Sequence, residues 1–179
     1  IEEAQPGDVL KVKIDKIDLN PTGLMRASTS GGAFNDLVEY RKVRQFDTSG
    51  EYLQFNDKLR FKIDTMIGVI GTAPKTDTVM THTPGSHGGN MDCNKIVAGS
   101  TLYLPVNVPG ALLSMGDLHA LMGDGEVMIC GLETGGEVTV TVEVVKDFPM
   151  PTPALSCRGQ FYTIQSANTL DQASRMASR

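Results

Sequence analysis

The amino-acid sequence predicts a mainly β protein, a β-sandwich or barrel-like fold with a few short helices. Apolar and polar residues alternate over several segments, and β-branched side chains dominate the best of them. Nineteen glycines and nine prolines among 179 residues predict frequent turns. Helical periodicity is clear only near the end of the chain. Many short strands with frequent turns are typical of sandwiches and barrels.

Four segments alternate apolar and polar residues in the manner of half-buried strands. They are residues 9–17, 59–63, 101–108 and 137–145. In the last of these, four valines share one face, while threonine and glutamate share the other. In the second, Leu59, Phe61 and Ile63 are expected to point inward. Pro105 in the third favours an edge strand or a bulge, because proline cannot donate a hydrogen bond to a neighbouring strand.

One helix is predicted near the end of the chain. Thr169 and Gln172 have the spacing of a capping box, and Leu170, Ala173 and Met176 follow at helical spacing. Two weaker strands and a Gly/Ser/Thr-rich surface loop complete the assignment. They are residues 127–132, 160–165 and 20–36, respectively.

Composition excludes several classes of function. The net charge of −5 gives no electrostatic reason to bind nucleic acid or an anionic membrane. No apolar stretch approaches the ~20 residues needed to cross a bilayer. Three cysteines without a Cys-x-x-Cys pair are most simply reduced thiols of a cytoplasmic protein.

Histidines and carboxylates concentrate between residues 82 and 126. Asp117 and His119 would point to the same side of a strand, and such a pair can supply two ligands to Zn²⁺ or another divalent ion. Alternatively, Asp117 only orients the histidine at the surface. The turn from Gly123 to Glu126 would bring a carboxylate back toward that pair as a ligand or general base, unless it is a plain hairpin turn.

A second candidate segment runs from His87 to Asp92. Two glycines would let the backbone approach a ligand closely, Asn90 offers a donor and an acceptor, and Asp92 could complete a metal shell. The alternative is a flexible glycine loop with a polar flank. His82 is interpreted as a surface or supporting histidine.

Five blocks in this region resemble the acetamidase/formamidase family in order and spacing. They are His87-Gly-Gly-Asn-Met-Asp92, Ala98-Gly-Ser-Thr-Leu-Tyr-Leu-Pro-Val106, Pro109-Gly-Ala-Leu-Leu-Ser114, Gly116-Asp-Leu-His-Ala120 and Gly123-Asp-Gly-Glu126. Family members often have proline at the position of Ser86, and some have glutamine at that of Met122. The resemblance implies that residues 1–179 form one region of a longer protein, lacking parts at both ends.

The resemblance also implies a function and a set of partners. It implies hydrolysis of formamide, acetamide or a similar short amide, a bound divalent metal ion (Zn²⁺ first, Ca²⁺ second) and a homodimer or higher homo-oligomer. The residues then take hypothetical roles. The ion would be held by Asp92, Asp117 and His119, and it would activate a water. Glu126 would act as general base, whereas His87 and Asn90 would bind the carbonyl or oxyanion, and Met91 and Leu121 would line a small acyl pocket.

Other readings stay open at this stage. Cys93 could be a nucleophile, whereas Lys75 and Lys95 lack the Gly/Ser-rich setting of a Ser-Ser-Lys amidase. A non-catalytic β module with a structural Ca²⁺ or Zn²⁺ ion would also place acids together. A hydrolase of the same fold could act on a larger amide.

Overall fold

A computed structural model describes residues 1–76 and 78–179 and is mainly β, as predicted. In chain order, its strands are β1 (Val9–Ala27), β2 (Lys42–Asp47), β3 (Tyr52–Gln54), β4 (Arg60–Lys62), β5 (Met66–Gly71), β6 (Pro84–Gly85), β7 (Gly88–Asn90), β8 (Thr101–Pro105), β9 (Ser114–Leu121), β10 (Leu132–Val145), β11 (Ala154–Cys157) and β12 (Gln160–Thr163). A short 3-10 turn covers Asn35–Leu37, and helix α1 covers Leu170–Ala177. Among the described residues, no helix is long and apolar enough to cross a membrane.

Strand β1 organises the main sheet. In the described part of the chain this sheet has ten strands in the order β12-β11-β8-β1-β10-β9-β5-β7-β6, with β2 paired to the second half of β1. All these pairings are antiparallel. Strands β3 and β4 form a separate two-stranded sheet.

The alternation along β1 builds the core. Leu10, Val12 and Ile14 are fully buried, whereas Lys11 and Lys13 face outward. The valines of β10 pack against the same core from the neighbouring strand. Because strand side chains alternate between the two faces, the buried side of this pair is apolar and the exposed side carries charge.

Strands β9, β5 and β7 lie side by side and position the polar cluster. Met66 of β5 is opposite His119 of β9, and Val69 of β5 is opposite Asn90 of β7. Residues far apart in the sequence therefore meet around the middle of β5.

Most of the predicted elements are present. The predicted strands at 9–17, 59–63, 101–108, 137–145 and 160–165 each coincide with an observed strand, and β1 and β10 are longer than predicted. The helix begins as predicted, because the Thr169 side chain accepts a hydrogen bond from the Gln172 N–H at 3.2 Å. Pro105 is the last residue of β8, beyond the three residues that pair with β11, so the strand itself is not at an edge.

Three predictions about elements are wrong. Residues 127–132 form turns, in which the Ile129 N–H donates to the Glu126 carbonyl at 2.7 Å, and only Leu132 is in a strand. The supposed loop at 20–36 is strand as far as Ala27, because β10 and β2 flank it on both sides. Leu59 and Phe61 are exposed, because β4 pairs only with the short β3 outside the main sheet.

We expect Leu10→Ala to lower the free energy of unfolding by about 2–5 kcal/mol, because it opens a cavity in the centre of the core. Leu170→Ala is the matched control, since Leu170 is 82% exposed and should change stability by no more than about 0.5 kcal/mol. Urea denaturation followed by circular dichroism measures both. Equal effects of the two substitutions would contradict the placement of β1 in the core.

Candidate active site

The site is built around His119 on β9. His119 is 1% exposed, and its Nε2 lies 3.6 Å from Asp117 Oδ1 on the same strand. The structure thus brings together the pair that the alternation of β9 predicts. The distance is that of an ion pair rather than of a hydrogen bond.

Asp92 joins this pair from the loop after β7. Its backbone N–H donates to the Gly68 carbonyl at 3.2 Å, and a ligand atom from each of Asp92, Asp117 and His119 lies within 4.8 Å of the others. Gly68 on β5 makes this approach possible. A Cβ there would lie 2.6 Å from Asp117 Oδ2 and 2.7 Å from Asp92 Oδ1, so any side chain would displace the carboxylates.

Two glutamates approach His119 from the other side. The Gly131 N–H donates to Glu126 Oε1 and to Glu133 Oε1, both at 2.9 Å. Glu133 Oε2 lies 2.9 Å from His119 Nε2, and the two residues face each other across β9 and β10. The glycine turn at 123–126 therefore does carry Glu126 toward the pair on β9.

Sequence reasoning missed Glu133. The pair Gly135-Gly136 interrupts the alternating pattern, so the strand was expected to begin at residue 137, whereas β10 begins at Leu132. The sequence does contain one sign of Glu133, because a carboxylate follows the glycine-flanked connection that leaves β9.

Backbone strain coincides with the cluster. Asp92, Asp117 and Glu126 all have positive φ values, 41°, 56° and 40°. This left-handed region costs a non-glycine residue about 1–2 kcal/mol, and it is often found at functional sites. Three of the four residues that supply the clustered carboxylates thus have an unfavourable backbone conformation.

The carboxylates hold His119 in its charged form. Burial alone would lower the pKa of His119, but Asp117 and Glu133 outweigh it and raise this pKa to about 10. In return, the close contact with the positively charged His119 holds the pKa of Asp117 below its ordinary value. One imidazolium therefore partly offsets the negative charge of its neighbours.

The single positive charge of His119 does not neutralise the four carboxylates of the cluster. Burial and the Asp92 carboxylate raise the pKa of Glu126 to about 7, and burial also raises the pKa of Asp92. Asp92 Oδ1, Asn90 Oδ1 and His119 Nδ1 are buried without a hydrogen-bond partner in the described part of the chain. The two unpaired buried oxygens and the excess negative charge are the properties that a bound cation would correct.

The cluster fits a divalent cation by its donor set. Asp92, Asp117 and His119 form one group of potential ligands, and His119, Glu126 and Glu133 form a second. One imidazole and several carboxylates suit Zn²⁺, while the abundance of oxygen is also compatible with Ca²⁺.

A cavity of about 480 Å³ borders the cluster. Asn90, Asp117 and His82 line it together with Ser114 and Val69. His82, interpreted from the sequence as a surface or supporting histidine, thus lines the same cavity as Asn90 and Asp117. The residues that surround His82 could be identified only from the structure.

The other predicted site residues lie apart from this cavity. His87 lines an adjoining cavity, where its ring packs against Gly85 and Gly89. Met91 lines a groove with Tyr162 and α1, and Leu121 lines an apolar cavity with Leu53 and Phe55. Met91 and Leu121 therefore line two different cavities rather than one acyl pocket.

The cysteine nucleophile has little structural support. Cys93, Cys130 and Cys157 are all free thiols, and burial raises the pKa of Cys93. Lys95 is bound to Asn94 Oδ1 at 2.8 Å and lies 3.7 Å from Asp124 Oδ1 at the surface. A thiol activated by a nearby lysine needs a lowered pKa instead.

Comparison with known proteins agrees with the five sequence blocks. Residues 76–158 match the sequence profile of the Acetamidase/Formamidase family. A crystal structure of an acetamidase/formamidase from Thermoanaerobacter tengcongensis is 45% identical, with a TM-score of 0.95 over 98% of this chain and 58% of that one. An acetamidase from Bacillus halodurans is also 45% identical, with a TM-score of 0.96 over 99% of this chain and 60% of that one.

A sequence relative from Schizosaccharomyces pombe, named as a formamidase, is 29% identical over 217 residues. This match covers 86% of the present chain and 53% of the relative, so the chain spans about half the length of that protein.

Fold and cluster together define a mainly β protein with a half-buried carboxylate–histidine centre. In sequence and in fold, the chain is similar to the acetamidase/formamidase family.

We expect Glu133→Gln to lower the pKa of His119 from about 10 toward its ordinary value of 6.5, because the change removes a carboxylate that stabilises the imidazolium. An NMR titration of the histidine resonances in the presence of a chelator measures this. Glu143→Gln on the exposed face of the same strand, where Glu143 pairs with Lys11, is the control and should not shift His119. An unchanged titration in Glu133→Gln would contradict the role of Glu133.

We expect Gly68→Ala to weaken binding of Zn²⁺ by about 10- to 100-fold, because the new methyl group would displace Asp92 and Asp117. Isothermal titration calorimetry measures the affinity. Gly123→Ala serves as the control, since a Cβ at that position meets nothing within 4 Å. Equal affinities in both variants would exclude an ion at this cluster.

Proposed function

We propose that this chain carries the active site of an amidase that hydrolyses a short-chain amide, formamide or acetamide, to ammonia and the carboxylate. The observation that carries the proposal is the half-buried cluster of four carboxylates and one imidazole beside an open cavity. The names of the family and of its relatives support the same reaction. The homodimer implied by the resemblance remains a prediction.

Asp92, Asp117 and His119 would hold a divalent cation, with Zn²⁺ first and Ca²⁺ second, and His119 would lose its proton when the cation binds. Their ligand atoms converge, and the partnerless Asp92 Oδ1 needs a positive charge or a donor. When bound, such a cation supplies Lewis acidity, which lowers the pKa of water from ~15.7 to ~7 and polarises a carbonyl. Glu133 Oε2 lies 2.9 Å from His119 Nε2, so Glu133 would be a further ligand from the second group.

Glu126 would act as the general base. Its pKa of about 7 allows it to be ionised at neutral pH and still accept a proton from the attacking water. The same carboxyl group can then donate that proton to the amide nitrogen as the C–N bond breaks, so ammonia leaves uncharged. The turn that begins at Gly123 and the Gly131 N–H fix the position of this carboxylate.

Asn90 would bind the substrate at the wall of the cavity. Its side-chain N–H₂ group can donate to the carbonyl oxygen, which becomes more negative as water attacks. His87 was expected to share this task, but it lines the adjoining cavity. We therefore assign the carbonyl to Asn90 and place His87 beside more distant parts of the substrate.

We expect Glu126→Gln to reduce ammonia release from acetamide by about 10²–10⁴-fold while Zn²⁺ still binds, because the amide cannot accept the water proton. Asp124→Asn is the matched control. That carboxylate is 88% exposed two residues away, and its loss should leave turnover unchanged.

Three other outcomes would contradict the proposal. Full activity of Glu126→Gln would contradict the role of Glu126 as general base. Equal turnover of acetamide after chelation, with no metal detected, would exclude the cation. A parent protein that binds the ion but releases no ammonia from any short amide would favour a non-catalytic metal-containing module.

A further inference from the structure

A second cavity, the far compartment, adjoins the cavity beside Asp117. This far compartment has a volume of about 370 Å³ and shares three wall residues, Val69, Thr81 and Ser114, with the cavity that contains Asn90 and Asp117. Ser114 lies three residues before Asp117 on β9, which corresponds to about 10 Å along a strand. A molecule bound at Asp117 could therefore extend along β9 into the far compartment.

The lining of the far compartment is mostly apolar. Ala73, Pro74, Val79, Met80 and Leu112 line it. Met80 and Leu112 are 64% and 61% exposed, so two large apolar side chains face solvent at this place.

Two of the polar residues of this compartment, Thr72 and His87, do not oppose an apolar ligand. The Thr72 hydroxyl is bound to the Pro105 carbonyl at 2.7 Å, so its hydrogen-bonding capacity is already used. Burial lowers the pKa of His87, which keeps the ring uncharged at neutral pH. The ring also lies against Gly85 and Gly89, so its faces are partly covered.

We propose that the far compartment is an acyl-binding subsite, which extends the substrate range to primary amides with an unbranched apolar acyl chain longer than acetyl. The inference rests on the proposed amidase function and specifies its substrate class. The carboxamide would lie at Asn90 and Asp117, and the chain would pass Ser114 and Val69. It would end against Val79, Met80 and Leu112.

The test is a substrate series of formamide, acetamide, butanamide and hexanamide with the full-length protein. Burial of each added methylene should raise kcat/KM about fourfold until the compartment is filled. Butanamide should then exceed acetamide by about fifteenfold. A constant or falling kcat/KM along the series would overturn the inference.

Two variants and one control variant locate the effect. Ala73→Phe fills the compartment, and it should bring the hexanamide-to-acetamide ratio of kcat/KM close to one. Ala167→Phe makes the same change at an exposed position outside this lining and should keep the parent ratio. Leu112→Ala truncates a wall without filling the space, and it should lower the ratio severalfold, which keeps the test valid if Ala73→Phe does not fold.

The outcomes separate the two proposals. Turnover of acetamide without the rise, or with a ratio that Ala73→Phe and Leu112→Ala leave unchanged, would overturn the subsite alone. Absence of turnover with every amide would overturn the amidase assignment and the subsite with it.

Discussion

The candidate site depends on one electrostatic constraint, the gathering of four carboxylates around a single buried imidazole. Like charges this close repel one another, and burial raises the pKa values of Glu126 and Asp92. His119 offsets part of the repulsion through Glu133 and Asp117. The strands and turns around these groups hold them together despite that cost, and the divalent cation that we propose would reduce the repulsion further.

The sheet supplies the rigidity that this constraint requires. His119 and Asp117 lie on β9, Glu133 lies on β10 and Gly68 lies on β5, so three adjacent strands fix their relative positions. Gly68 has no side chain and so leaves room for the carboxylates, and the Gly131 N–H donates to two glutamates. Sites supported by strands in this way hold geometry better than sites built on loops alone.

The sequence predicted those features that depend on local pattern. Alternation located β1 and β10, the capping spacing located α1, and Asp117 and His119 came together because strand side chains two residues apart share a face. It failed where tertiary pairing decides the outcome. The glycines of β10 obscured its first residues and hence Glu133, and residues 20–27 are strand only because two neighbours flank them. The sequence also did not predict that His82 lines the cavity beside Asp117 whereas His87 lines the adjoining one. The course of the chain between β5 and β9 cannot be inferred from spacing.

The positive φ angles of Asp92, Asp117 and Glu126 have a consequence for protein engineering. At each position glycine would relieve backbone strain, so a library selected only for heat resistance would tend to lose these carboxylates. The most thermostable clones would then be the ones least able to hold a cation. A stabilisation campaign on this protein should therefore keep these three positions fixed and seek its gains in the exposed β3–β4 hairpin and along the outer face of β10.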